Sequence, residues 1–109
     1  MTTANRPWRQ EIELLQNFSR HKTFTLTTSG ATAETVVDVA SVMEECNKIS
    51  LVVELGDAYI EFDDDATTSA MYIPQDEGYF DDGIWIGSKI SMIWAGINNV
   101  RIRGIIWGR

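Results

Sequence analysis

Apolar and polar residues alternate with a period of two along much of the chain, which is the pattern of half-buried β-strands. Residues 22–27 (KTFTLT) place Phe24 and Leu26 on one face and threonines on the other. Residues 58–62 (AYIEF) alternate in the same way. We therefore expect each segment to form a strand with one face in a core.

Further strands are predicted from short apolar runs bounded by turn residues. Residues 49–55 (ISLVVEL) are almost continuously aliphatic, which indicates a central strand. The other candidates are residues 35–39, 70–73, 84–86, 89–94 and 100–107. Seven or eight short strands at spacings of about ten residues predict an all-β fold, either an antiparallel β-sandwich or a jelly-roll-like barrel.

Turn residues predict how some of these strands are joined. Gly56-Asp57 separates residues 49–55 from residues 58–62, and this spacing predicts a hairpin. Asn98-Asn99 separates the last two predicted strands and predicts a second hairpin. The acid-rich stretch 76–82 is interpreted as a loop.

The one segment with helical periodicity is residues 5–20, where Asn5 can cap the helix and Pro7 falls in the first turn. Its apolar side consists of Trp8, Ile12, Leu15 and either Leu14 or Phe18. We therefore divide the chain into an N-terminal helix or arm, residues 1–22, and a β-sandwich domain, residues 23–109. Two arrangements stay open: the helix packs on its own domain, or it reaches onto a neighbouring subunit.

The length of 109 residues, at 12.3 kDa, corresponds to a single domain. The net charge of -7 makes free nucleic acid an unfavourable partner. The charge is unevenly placed: residues 23–82 hold fourteen acids and only Lys48 as a base, whereas residues 83–109 hold four bases and no acid. Opposite charges can neutralise each other within one chain or meet between neighbouring copies.

Candidate chemistry is sparse. Cys46 is the single cysteine, so no internal disulfide can form, and acids nearby favour an inert thiol. His21 is the single histidine and has no recognisable nucleophile beside it. The acids of residues 61–65 lack the spacing of an EF-hand calcium loop. We expect no catalytic residue, no metal and no cofactor, and because no signal peptide or membrane span is recognisable, we expect assembly in a cytosol.

Aromatic and basic residues indicate an interface. Four tryptophans are more than a core of this size readily holds, so at least one is expected at a subunit contact. Arg101 and Arg103 share one face of their predicted strand. The candidate interface residues are Trp8, Ile12, Leu15, Phe18, Arg101, Arg103 and Trp107.

Residues 50–103 carry a family resemblance. An apolar strand is followed by Gly56-Asp57, a Thr-Thr-Ser loop at residues 67–69, Ile73-Pro74, and a closing pair of strands at residues 90–102. This order resembles the small β-sandwich structural proteins of tailed-phage virions. The resemblance implies a non-enzymatic capsid decoration or cement protein, located in the virion after assembly in the host cytoplasm. It further implies a homo-oligomer, with a trimer favoured, that contacts the major capsid protein or other virion proteins and no membrane.

Three alternatives are kept. A neck or tail component of the particle is the first. A small carbohydrate- or ligand-binding β-module that uses Tyr79, Phe80 and the acidic stretch 76–82 is the second. A cupin-type enzyme comes last, because such metal sites usually need several histidines and the chain has only His21.

Overall fold

The computed structural model describes residues 20–28, 31–96 and 99–109. These residues form eight strands and one 3-10 turn, Val39–Ser41. The strands are β1 (Arg20–Thr28), β2 (Glu34–Val37), β3 (Cys46–Leu55), β4 (Ala58–Phe62), β5 (Met71–Ile73), β6 (Gly78–Asp81), β7 (Ile90–Trp94) and β8 (Val100–Gly108).

The strands make two antiparallel four-stranded sheets. Sheet I has the order β1-β8-β3-β6, and sheet II has the order β2-β7-β4-β5. Sheet I is built on the longest strands, and nine consecutive residues of β1 pair with nine of β8. The predicted all-β sandwich of jelly-roll type is thereby confirmed.

The core lies between the two sheets and consists of the inward-facing residues of the alternating strands. Sheet I contributes side chains such as Ile49 and Ile102, and sheet II contributes side chains such as Ile60 and Met92. All four are almost completely buried. Burial of aliphatic side chains is the main stabilising contribution, at about 25 cal/mol per Å² of apolar surface.

Both predicted hairpins are wrong. β3 belongs to sheet I and β4 to sheet II, so the turn at Gly56 carries the chain from one sheet to the other. The same holds for β7 and β8. Gly56 has φ of 70°, a left-handed conformation that glycine adopts without strain. A sharp corner and a hairpin need the same turn residues, so local sequence does not distinguish them.

Two further predictions differ from the structure. Residues 84–86 form no strand, and only Ile86 makes an isolated bridge, to Cys46. Conversely, part of the predicted loop 76–82 is strand β6, which pairs with β3 over Ile49–Val52. Tyr79 and Phe80 alternate across this strand, although the acids around them resemble a loop sequence.

The predicted helix, residues 5–20, lies outside the described residues apart from Arg20, which is the first residue of β1. Residues 20–22, assigned to the N-terminal arm above, are therefore part of sheet I.

Candidate functional site

The outer face of sheet I carries a groove of about 530 Å³. It crosses β1, β8 and β3, three adjacent strands. The side chains that face it are Thr23, Thr25, Ser50, Val52, Arg103 and Ile105. The backbone between them, at Phe24, Leu51 and Gly104, contributes the remainder of the lining.

Strand alternation explains this lining. Phe24 and Leu51 are buried on the inner face, so their neighbours in sequence face outward. The register places Thr23 opposite Ile105 and Thr25 opposite Arg103. On the other side of β8, Ser50 lies opposite Ile105 and Val52 opposite Arg103. Two rows of three side chains therefore line the groove.

Gly104 lies at the centre of this arrangement. A Cβ atom added there would lie 2.4 Å from the carbonyl oxygen of Ser50 and 2.7 Å from the ring of Phe24. Only glycine allows β8 to approach β3 so closely under that ring.

Charged groups stand at one end of the groove. Glu54 Oε1 accepts hydrogen bonds from Nε of Arg103, at 2.9 Å, and from Nε of Arg101, at 3.2 Å. The hydrogen bond from Arg103 is the main cause that lowers the pKa of Glu54. Two guanidinium groups share one carboxylate, which leaves one unit of positive charge in this cluster.

An aromatic cluster adjoins the groove on the same face. Nζ of Lys48 lies 4.6 Å from the ring centroid of Trp107 and 5.6 Å from that of Phe80. Phe80 is opposite Ser50, which lines the groove, and is 60% exposed. Cation–π attraction holds Lys48 between the two rings.

The structure brings together three of the predicted interface residues. Arg101, Arg103 and Trp107 all face outward on β8. The arginines are paired with Glu54 of their own chain, which sequence alternation alone did not identify as their partner. The other predicted interface residues, Trp8, Ile12, Leu15 and Phe18, lie outside the described residues.

Tyr79 and Phe80, predicted as one ligand site, face opposite sides of β6. The ring of Tyr79 packs against the core, 5.9 Å from Phe62, and its hydroxyl donates a hydrogen bond to Oδ2 of Asp81 at 2.8 Å. Desolvation and this hydrogen bond raise the pKa of Tyr79. Of the two, Phe80 is the exposed ring, whereas Tyr79 is partly buried.

The residues that the structure describes do not fit a metal centre. No three His, Cys, Asp or Glu side chains among them converge. His21 is exposed on the outer face of β1, opposite Trp107, whereas the space between the sheets is filled by aliphatic side chains. Burial raises the pKa of the Cys46 thiol, which disfavours a reactive thiolate. In the same described ranges, no helix has the length and apolar character needed to cross a membrane.

Comparison with solved structures shows the fold. The chain is similar to the cupin domain of Cnp3 from Schizosaccharomyces pombe, with a TM-score of 0.52 and 10% identity over 83% of this chain and 54% of that one. It is equally similar, at 0.52 and 10% identity, to an HTH_3 family transcriptional regulator from Vibrio cholerae, over 82% of this chain and 43% of that one. For TT1209 from Thermus thermophilus the TM-score is 0.51, with 9% identity over 83% of this chain and 74% of that one.

The chain spans about half the length of the first two structures. No family model matches the sequence, and no curated protein matches it. The TM-scores of 0.51 and 0.52 show a shared fold, which for the first of these structures is that of a cupin domain. Identities of 9–10% show nothing about activity.

The resemblance to tailed-phage virion proteins is therefore wrong, and with it the predicted role as a capsid decoration or cement protein. The fold that this chain shares with a solved structure is that of a cupin domain. The order of strand, tight turn and closing strand pair on which the resemblance rested recurs in small antiparallel sandwiches, because each needs short alternating strands separated by turn residues.

Proposed function

We propose that this protein is a small-molecule-binding module and that the groove on the outer face of sheet I is its binding site. The observation that carries the proposal is the groove itself, a concave surface of about 530 Å³ that combines apolar, hydroxyl and cationic side chains. Ligand pockets typically measure about 300 to 1,000 Å³ and pair an apolar lining with a few placed polar groups.

The lining selects a class of ligand. Val52 and Ile105 offer aliphatic contact to a ring or short chain. Three hydroxyl groups, on Thr23, Thr25 and Ser50, can donate or accept hydrogen bonds. The ligand expected from this lining has an apolar body and an oxygen-bearing polar end.

Arg103 gives that polar end a charge preference. Its side chain is 58% exposed, and its Nε atom is held by Glu54. Within the part of the chain that the structure describes, its terminal nitrogens have no hydrogen-bond acceptor. A guanidinium oriented in this way can bind a carboxylate, so we expect small monocarboxylates with an apolar body.

Titration of the isotope-labelled protein with three probes, followed by ¹H–¹⁵N NMR, tests the proposal. The probes are benzoate, benzyl alcohol and glucose. We expect benzoate to shift the amide signals of Thr25, Ser50 and Gly104 and to bind at least fivefold more tightly than benzyl alcohol. If benzoate shifts none of these signals, the groove is not the binding site. If glucose binds most tightly of the three, the ligand is a carbohydrate and not a carboxylate.

The chain offers a matched pair of variants. Arg103→Gln removes the guanidinium that lines the groove, whereas Arg101→Gln removes its neighbour, which shares Glu54 but does not line the groove. We expect the first variant to weaken benzoate binding at least fivefold and the second to change it less than twofold. Equal losses in both variants would mean that only net charge matters and would contradict a specific site.

Binding rather than catalysis is part of this proposal, and the sequence-based prediction of a non-enzymatic protein stays a prediction. The predicted homo-oligomer and its trimeric state also stay predictions. Light scattering coupled to size-exclusion chromatography measures the oligomeric state directly.

A further inference from the structure

The outer face of sheet II has a chemical character opposite to that of sheet I. Its four strands contain no Lys, Arg or His, whereas Glu34 and Glu61 lie on them. Sheet I carries five of the nine basic residues of the chain on its strands. A ligand attracted to the outer face of sheet II is therefore expected to be cationic.

Two tyrosines form an aromatic pair on this face. Tyr59 on β4 lies directly opposite Tyr72 on β5, with ring centroids 5.6 Å apart and ring planes inclined at 52°. Tyr72 is 51% exposed. Ile93 on β7 is the next residue along the same row, beside Tyr59. Because the two ring planes are inclined to each other, one compact group can contact both rings at the same time.

Carboxylates lie beside the exposed ring. Asp57 immediately precedes β4, and its Oδ1 accepts a hydrogen bond from the backbone N–H of Gln75 at 2.8 Å, which fixes its position. Asp57 lies two residues before Tyr59, on the same face of the sheet, so the register makes it the diagonal neighbour of Tyr72. Desolvation raises the pKa of Tyr72, and the charge of Asp57, a hydrogen bond to Asp57 and the charge of Glu77 raise it further. Among the described residues, no Lys or Arg forms an ion pair with either acid.

We propose that Tyr59, Tyr72 and Asp57 form a site for an organic cation that carries an alkylated ammonium group. Ring faces attract such a cation through their quadrupole, and the carboxylate adds an attraction that a neutral group of the same shape lacks. The site lies on the sheet opposite the proposed groove and does not depend on it. Two sources share this chemistry, a free quaternary amine and a methylated lysine side chain of a peptide.

NMR titration with tetramethylammonium and with its neutral isostere tert-butanol separates cation binding from apolar contact. We expect tetramethylammonium to bind at least tenfold more tightly than tert-butanol, to lose affinity as NaCl is raised, and to show intermolecular contacts between its methyl protons and the Tyr72 ring. Equal affinity for the two probes, or contacts to other residues alone, would overturn the proposal.

A trimethyllysine peptide of three residues forms the second arm of the experiment. If it binds at least tenfold more tightly than tetramethylammonium, the source is a peptide side chain; if the gain in affinity is smaller than tenfold, the source is a free quaternary ammonium compound. Either result supports a site for an alkylated ammonium group, whereas binding of neither probe contradicts it.

Three variants test the assigned residues. Tyr72→Phe keeps the ring and is expected to retain affinity within twofold, whereas Tyr72→Leu is expected to lose at least fivefold. Asp57→Asn is expected to lose about threefold. Phe80→Leu, an equivalent change of an exposed ring on sheet I, serves as the control and should change nothing. A loss in Tyr72→Phe as large as in Tyr72→Leu would contradict a role for the ring face.

Discussion

Arg103 on β8 donates a hydrogen bond from Nε to Oε1 of Glu54 on β3, at 2.9 Å, and so ties together the two central strands of sheet I. Glu54 lies where the register between β3 and β8 shifts, between the pairs Val53–Ile102 and Leu55–Arg101. Such a bulge adds one residue to a strand and redirects its side chain. The bulge thereby places one carboxylate within reach of two arginines.

The pKa of Glu54 reports this arrangement. We expect the measured pKa to lie below the ordinary value for glutamate, because Arg103 stabilises the charged form by a hydrogen bond and by its charge. Arg103→Gln should raise it toward the ordinary value, and Arg101→Gln should raise it less, since Arg101 contributes less. Side-chain carboxyl NMR over a pH series measures all three values. The reverse order of the two variants would show that the hydrogen bond to Arg103 is not the main cause.

Asp63 is expected to make stability depend on acid pH. Its Oδ1 accepts hydrogen bonds from the N–H of Ser88, at 2.7 Å, and of Gly87, at 3.0 Å, which joins the end of β4 to the segment before β7. Partial desolvation alone would raise the pKa of Asp63, but these hydrogen bonds outweigh it and lower the pKa. A lowered folded-state pKa stabilises the protein above the unfolded-state pKa, about 3.9, and this contribution is lost as the pH falls through the folded-state value.

The variant Asp63→Asn tests whether the carboxylate of Asp63 makes stability depend on pH. Asparagine tolerates the positive φ of 63° at this position, so the change removes charge with little backbone strain. We expect a loss of about 1 kcal/mol in the free energy of unfolding at pH 7, a modest value because the group is exposed. Urea unfolding between pH 3 and pH 7 should show a shallower pH dependence in the variant. If the free energy of unfolding changes with pH in the same way in the variant and the parent protein, Asp63 is not a source of the pH dependence.

Gly104→Ala is expected to destabilise the protein by about 1–3 kcal/mol, because the added methyl group meets the Ser50 carbonyl oxygen and the Phe24 ring. Strand separation at this point should also reshape the groove and weaken benzoate binding. Gly96→Ala is the control, since an added Cβ there has no heavy atom within 4 Å. Thermal unfolding measures both, and equal midpoints in the two variants would contradict the close approach.

Ser91→Ala is expected to cost about 1–2 kcal/mol. Ser91 is 1% exposed, and its Oγ accepts a hydrogen bond from the backbone N–H of Ala66 at 2.9 Å. This bond fastens the loop after β4 to the outer face of sheet II, and its loss leaves a buried N–H without an acceptor. Hydrogen exchange of the Ala66 amide should accelerate in the variant; unchanged protection would mean that other contacts hold the loop.

The sequence predicts the strands of this fold better than it predicts their pairing. The alternation in residues 58–62 predicts both end residues of β4. In contrast, the turn at Gly56 has the composition of a hairpin, and whether the chain turns back or crosses to the other sheet depends on the packing of the whole sandwich. The sequence does not predict strand β6, because Gly78 and Asp81 are unusual in strands and further acids flank it on both sides. Pairing with β3 overrides that local preference.

The candidate sites likewise combine features that local alternation predicts with features that depend on strand pairing. Alternation alone predicts that Arg101 and Arg103 share a face, and they do. No local pattern predicts that Glu54 reaches both of them, because this depends on the bulge in a different strand. The Tyr59–Tyr72 pair likewise depends on the register between β4 and β5.

The position of β8 has a consequence for how the protein reaches this fold. Strand β8 lies between β1 and β3, yet it is the last of the eight strands to leave the ribosome. Sheet I cannot be completed during synthesis until residues 100–108 have emerged, because β1 pairs with β8, which lies about 80 residues later in the sequence. Slow, all-or-none folding is therefore expected, and during synthesis the exposed edges of β1 and β3 are open to association between nascent chains.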